Sequence, residues 1–195
     1  MNYKEIIGVI AAGLVLIGYI PYIRDVIKGT TRPHLYSWFL WGFVTSIAFA
    51  LQVTHGAGAG SLVTLIAALM CIVVLILGAK RGSKKDIKKT DTVFLLVALI
   101  AVGFWLIAKQ PVISIILVTT IDVLAFAPTV RKSWIDPYSE TLSFYWINTF
   151  RFGLAIFALQ SFSIITALYP ISWCLINGLF ALFLIMRRKQ NLNLS

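Results

Sequence analysis

Charge is scarce in this sequence. Only 12% of its 195 residues are Asp, Glu, Lys or Arg, about half the ~25% of an average soluble domain. Acidic residues are rarest, seven in all. With 59% hydrophobic residues and a mean hydropathy of +0.91, no soluble core of this size could hide the apolar surface. The class is integral membrane protein. Cysteine is equally sparse. Cys71 and Cys174 both lie within apolar runs, which excludes a disulfide framework or a cysteine metal cluster. The two histidines, His34 and His55, read as loop or helix-end residues, so no metal or cofactor is expected. A phosphate loop is missing too. "GAGAG" at Gly56–Gly60 reads as a tight outer turn, because no βαβ unit surrounds it. No nucleophile triad appears, so an intramembrane enzyme has no constellation to use. The last apolar run contains no lysine, which argues against a retinal-binding opsin.

Long apolar runs are what the sequence has. They are continuous rather than alternating, which favours helices over barrel strands. Approximate spans are Glu5–Ile27, His34–Val53, Gly60–Ala79, Thr92–Ala108, Val112–Lys132, Thr141–Phe162 and Leu168–Met186. Each meets the roughly 17–25 residues that a crossing needs. The first run leads to Pro21 and "YIRD" rather than to a small-residue cleavage site, so it reads as a retained helix and not a signal peptide.

The formal charge of +10 invites a nucleic-acid reading, but the cations sit at helix ends. Fourteen of the 17 Lys and Arg fall on one set of ends, two (Lys4 and Lys109) on the other, and Arg151 lies inside a helix. This positive-inside asymmetry predicts an N-terminus outside and a C-terminus in the cytoplasm. "KRGSKKDIKK", Lys80–Lys89, reads as a topology anchor that could also bind anionic lipid. The short loops suit a bacterial inner membrane.

The chain also repeats itself. "GYIPYIRD" and "AFAPTVRK" each place Arg three residues after Pro, at Pro21/Arg24 and Pro128/Arg131. "FALQ" follows 28 residues after the first proline and 29 after the second. Trp38 matches Trp146, and Lys80–Arg81 matches Arg187–Arg188. The predicted plan is an all-α membrane protein with a first three-helix repeat over 1–82, a basic loop and linker helix over 83–110, and a second three-helix repeat over 111–195. The linker crossing makes the repeats parallel, a known transporter design.

On these features the chain resembles the SWEET and PQ-loop superfamily, as a divergent member. Pro21-Tyr22 and Pro128-Thr129 stand where that family carries Pro-Gln. The resemblance implies that Pro21 and Pro128 act as hinges. A proline lacks its N–H and clashes with the preceding turn, so a static kink is the simpler role. It also implies a transporter, while a fold alone does not choose a ligand. "INGLF" places Asn177 where SWEET proteins carry a pocket asparagine.

Asp122 and Arg151 are the sharpest signal. Each lies about ten residues into its helix, near mid-bilayer, where an isolated charge costs roughly 2.5–3.5 kcal/mol. They are expected to face the interior and pair. Three roles fit: a structural ion pair, a substrate site with Arg151 binding an anion, or proton coupling at Asp122. Asn148 lies one turn from Arg151, and Trp173 and Asn177 share one face of the last helix. Interhelical hydrogen bonding is the simpler role for the two amides. Trp38, Trp41, Tyr145 and Trp146 lie near the cytoplasmic ends, where an interfacial belt is expected. The resulting expectation is a carrier or facilitator of a small polar or anionic solute, with a midplane site of Asp122, Asn148, Arg151, Trp173 and Asn177. The alternative is a non-transporting receptor or adaptor of the same fold. Its partners are the bilayer and the solute, not nucleic acid, and a homo-oligomer is compatible with the plan.

Overall fold

A chain in hydrocarbon must satisfy its backbone N–H and C=O groups internally, which makes helix the natural state of these apolar runs. The computed structural model describes residues 3–54, 60–81, 87–108, 110–159 and 161–192. Among them it holds seven helices and no strand: α1 (Tyr3–Lys28), α2 (Leu35–Thr54), α3 (Gly60–Lys80), α4 (Lys89–Ala108), α5 (Pro111–Ile135), α6 (Leu142–Phe157) and α7 (Ile164–Leu192). Four of them, α1, α3, α5 and α7, are long and apolar enough to cross a membrane. Helix α2 adds a shorter apolar stretch, Leu35–Ala50. Large apolar side chains such as Ile10, Ile20, Phe150 and Leu179 are exposed, as lipid contact requires. The molecule is an all-α protein of membrane type.

The predicted bounds hold to within about a turn for α1 to α5. Helix α6 departs, ending at Phe157 rather than Phe162. Helix α7 starts at Ile164 rather than Leu168. Local chemistry explains the shift. Ser163 Oγ accepts from the Thr166 N–H at 3.3 Å, and Thr166 Oγ1 accepts from the Ser163 N–H at 3.0 Å. This reciprocal capping starts α7 early. The two "FALQ" copies therefore differ: Phe49–Gln52 is helical, whereas Phe157 is the last residue of α6. Gln160, His55, residues 56–59, Lys109 and the centre of "KRGSKKDIKK" lie outside the described residues.

Helix α3 packs against both α1 and α2, and α7 against both α5 and α6. The α1–α6 and α2–α5 contacts join these groups, and α4 lies mainly on α5. At Gly18 helices α1 and α6 approach so closely that an added Cβ would lie 2.9 Å from Ile147 Cγ2. Gly29, at φ +78°, closes α1 in the left-handed conformation that glycine tolerates. The Thr30 and Thr31 N–H groups then bond the Asp25 carbonyl. Pro21 and Pro128 both lie inside their helices, which continue through them.

Candidate functional site

Asp122 projects from the middle of α5 and is only 1% exposed. Its Oδ2 accepts from Tyr169 Oη at 2.7 Å and from Trp173 Nε1 at 2.9 Å, both on α7. Trp41 Nε1 of α2 donates to the Asp122 carbonyl at 3.2 Å. Its other carboxylate oxygen, Oδ1, is buried with no hydrogen-bond partner among the described residues. Arg151, also buried, donates through Nε and Nη2 to Asn148 Oδ1 at 3.1 and 2.8 Å. Its guanidinium carbon lies 4.1 Å from the Phe152 ring centroid. Asn148 in turn donates to the Phe144 carbonyl, one turn back on α6.

The pairing of Asp122 with Arg151 expected from the sequence is not formed. Each charge is held by its own neighbours, Asp122 by two α7 donors and Arg151 by Asn148 on its own helix. The structure nonetheless brings all five predicted site residues to the wall of one cavity of about 240 Å³: Asp122, Asn148, Arg151, Trp173 and Asn177. Asn177 donates to the Trp173 carbonyl at 2.7 Å. The two hinge candidates do not border it.

Three aromatic residues read as an interfacial belt lie elsewhere. Trp38, Trp41 and Tyr145 are buried and line the cavity. Their flat rings fill the space between helices, and edge-to-face contacts such as Trp41–Trp173 fix them. Tyr169 and Trp41 were missed as partners of Asp122. Tyr169 carried a signal, because it precedes Trp173 by four residues and continues the Trp173/Asn177 face by one turn.

The cavity has two unlike ends. Its lining reaches Gly8, Pro111, Leu159 and Ser161 at the end poor in basic residues, where Pro111 and Ser161 are exposed. At the basic end it stops at Trp38, Phe144 and Tyr145. Beyond that aromatic floor lies a polar layer. Glu140, 1% exposed, accepts from Tyr22 Oη at 3.1 Å, Tyr145 Oη at 2.8 Å and Lys132 Nζ at 2.5 Å. Lys132 also donates to the Arg32 carbonyl. Arg188 of α7 donates to the carbonyls of Pro137 and Glu140. Thr31 and Thr141 hydroxyls meet at 2.6 Å, and Thr141 also donates to Asp25. At the rim, Arg32 pairs with Asp136 at 2.7 Å.

A second buried polar group lies at this end. Asp91 at the start of α4 pairs with Arg131 at 2.7 Å and with His34 Nε2 at 3.1 Å, and accepts from the Lys88 N–H. His34 Nδ1 has no partner among the described residues. Burial pushes the His34 imidazole below its usual range; Asp91 opposes this, and the nearby Lys132 and Arg131 add to it. Burial alone would raise the Asp91 carboxyl, but the Lys88 amide, Arg131 and His34 outweigh it and hold it low. Among the described residues no His, Cys, Asp and Glu cluster could hold a metal ion. Comparison of the chain with protein-family models, curated proteins and solved structures finds no match.

Proposed function

We propose that this chain is a seven-span membrane transporter, moving a small polar solute by alternating access between two three-helix bundles. The observation that carries the reading is the cavity. It is lined to one end of the molecule, reaches two charged side chains at mid-depth, and is shut at the opposite end by aromatic and polar layers. A carrier needs such a one-sided site. Helix contacts support the repeat. The third helix of each proposed bundle lies against the other two, and the α1–α6 and α2–α5 contacts are counterparts under a two-fold exchange of halves. Helix α4 then serves as the linker. With the basic ends assigned to the cytoplasm, this conformation is closed inside and faces outward. The SWEET-like resemblance agrees with this plan, with Pro21 and Pro128 as hinge positions.

The test is solute counterflow in proteoliposomes of the purified protein. Flux that is lost on Arg151→Ala, with the variant still folded, supports the reading. Solute binding without flux would favour the non-transporting receptor, and neither binding nor flux would remove the solute site altogether.

A further inference from the structure

The substrate class can be taken further, resting on the transport reading above. Asp122 and Arg151 are opposite charges on one cavity wall that do not satisfy each other. Asp122 Oδ1 is buried without a donor among the described residues. Arg151 Nη1 makes no hydrogen bond to a described residue, and no described carboxylate pairs with this guanidinium. A buried ion left without a counter-charge is strongly unfavourable, and a ligand that supplies one is favoured. An anion alone would complete Arg151 and repel Asp122. A cation alone would do the reverse. A neutral polyol would compensate neither charge.

We propose that the cavity binds a zwitterionic solute, of the α-amino-acid class, with its ammonium on Asp122 Oδ1 and its carboxylate on Arg151. Arginine suits the second role because its planar fork matches a carboxylate. The rest of the wall is apolar and aromatic, through Trp41, Phe126 and Trp173, and takes the uncharged part of the ligand. The volume of about 240 Å³ lies just below the roughly 300–1,000 Å³ of drug-sized sites and suits a single small solute.

Charge-stripped probes test this on the unaltered protein. Calorimetry and thermal shift are run with L-leucine, with isoamylamine (no carboxylate), with isocaproate (no ammonium) and with D-glucose. L-leucine is expected to bind and raise the melting temperature. Isoamylamine and isocaproate are each expected to bind at least about tenfold more weakly, for loss of one charge-assisted contact. Arg151→Gln weakens L-leucine and isocaproate and does not weaken isoamylamine, while Asp122→Asn weakens L-leucine and isoamylamine and does not weaken isocaproate. A stripped probe binding as tightly as L-leucine overturns the proposal. Binding of D-glucose alone overturns it too, yet leaves a solute site standing. No binding by any of the four removes the solute site along with it.

Discussion

Lys132 and Glu140 form an ion pair sealed from solvent, Nζ to Oε1 at 2.5 Å, with side chains 5% and 0% exposed. Removing one member of such a pair leaves an unmatched buried charge, at a cost of about 3–5 kcal/mol. Glu140→Ala is therefore expected to lower the melting temperature of purified protein sharply. Lys132→Met with Glu140→Leu should recover most of the loss. Recovery stays incomplete, because the Tyr22 and Tyr145 hydroxyls lose their acceptor, at about 1 kcal/mol each. Equal stability of wild type and Glu140→Ala would show that the layer does not hold the basic end.

Asp122 and Arg151 give the opposite pattern, since they do not touch. Asp122→Ala and Arg151→Ala are each expected to abolish counterflow. Combining them restores nothing, because each is held by its own neighbours and loss of one strips no partner from the other. Regained expression and flux in the double variant would instead mark a direct structural pair.

Pro21→Ala restores a backbone donor within α1. The helix already continues through this position, so folding is expected to survive, as judged by melting temperature. Transport should slow, since a regular helix resists bending. An unchanged turnover would sink the hinge role.

Gly18 lets α1 lie against Ile147 of α6. Gly18→Ala puts a methyl group 2.9 Å from Ile147 Cγ2, an overpacking of about 1–3 kcal/mol. Ile147→Val, which frees space at the contact, should return part of that stability in the Gly18→Ala background. Strictly additive effects in a thermal-unfolding cycle would contradict this contact.

Acid is expected to weaken the protein in two stages. His34 has a folded value below its usual 6.5. Between the two values the unfolded chain binds the extra proton, so stability falls as pH drops through that window. Asp91 has a folded value below 3.8. Its contribution is present above 3.8 and is lost as pH falls further, through the folded value. His34→Gln should flatten the melting temperature between about pH 7 and about pH 5, around the free imidazole range. A slope equal to that of wild type would assign the first stage to another group.

Helix number and placement were legible because apolar runs of this length admit few alternatives. Asp122 and Arg151 were legible as interior residues for the same reason, since charge is rare there. Their partners were not. Asp122 bonds Tyr169 and Trp173 across a helix interface, and one-dimensional spacing carries no interhelical register. Trp38, Trp41 and Tyr145 depart from the expected belt because aromatic residues near helix ends suit either a lipid boundary or a core, and packing alone decides. Glu140 was silent for a further reason. It lies between α5 and α6, where an acidic residue ordinarily reads as solvated, and only the fold buries it.

The Glu140 layer also bears on how the protein is made. In a chain delivered to the bilayer from its N-terminus, Tyr22 arrives with the first helix and has no acceptor waiting. Lys132 and Glu140 follow together, eight residues apart, and can neutralise each other before α7 is synthesised. Arg188 then closes over the Glu140 carbonyl from near the end of α7. Helix α7 thus closes a junction that α1 begins, and a chain truncated before α7 is expected to leave the Glu140 carbonyl without its Arg188 donor.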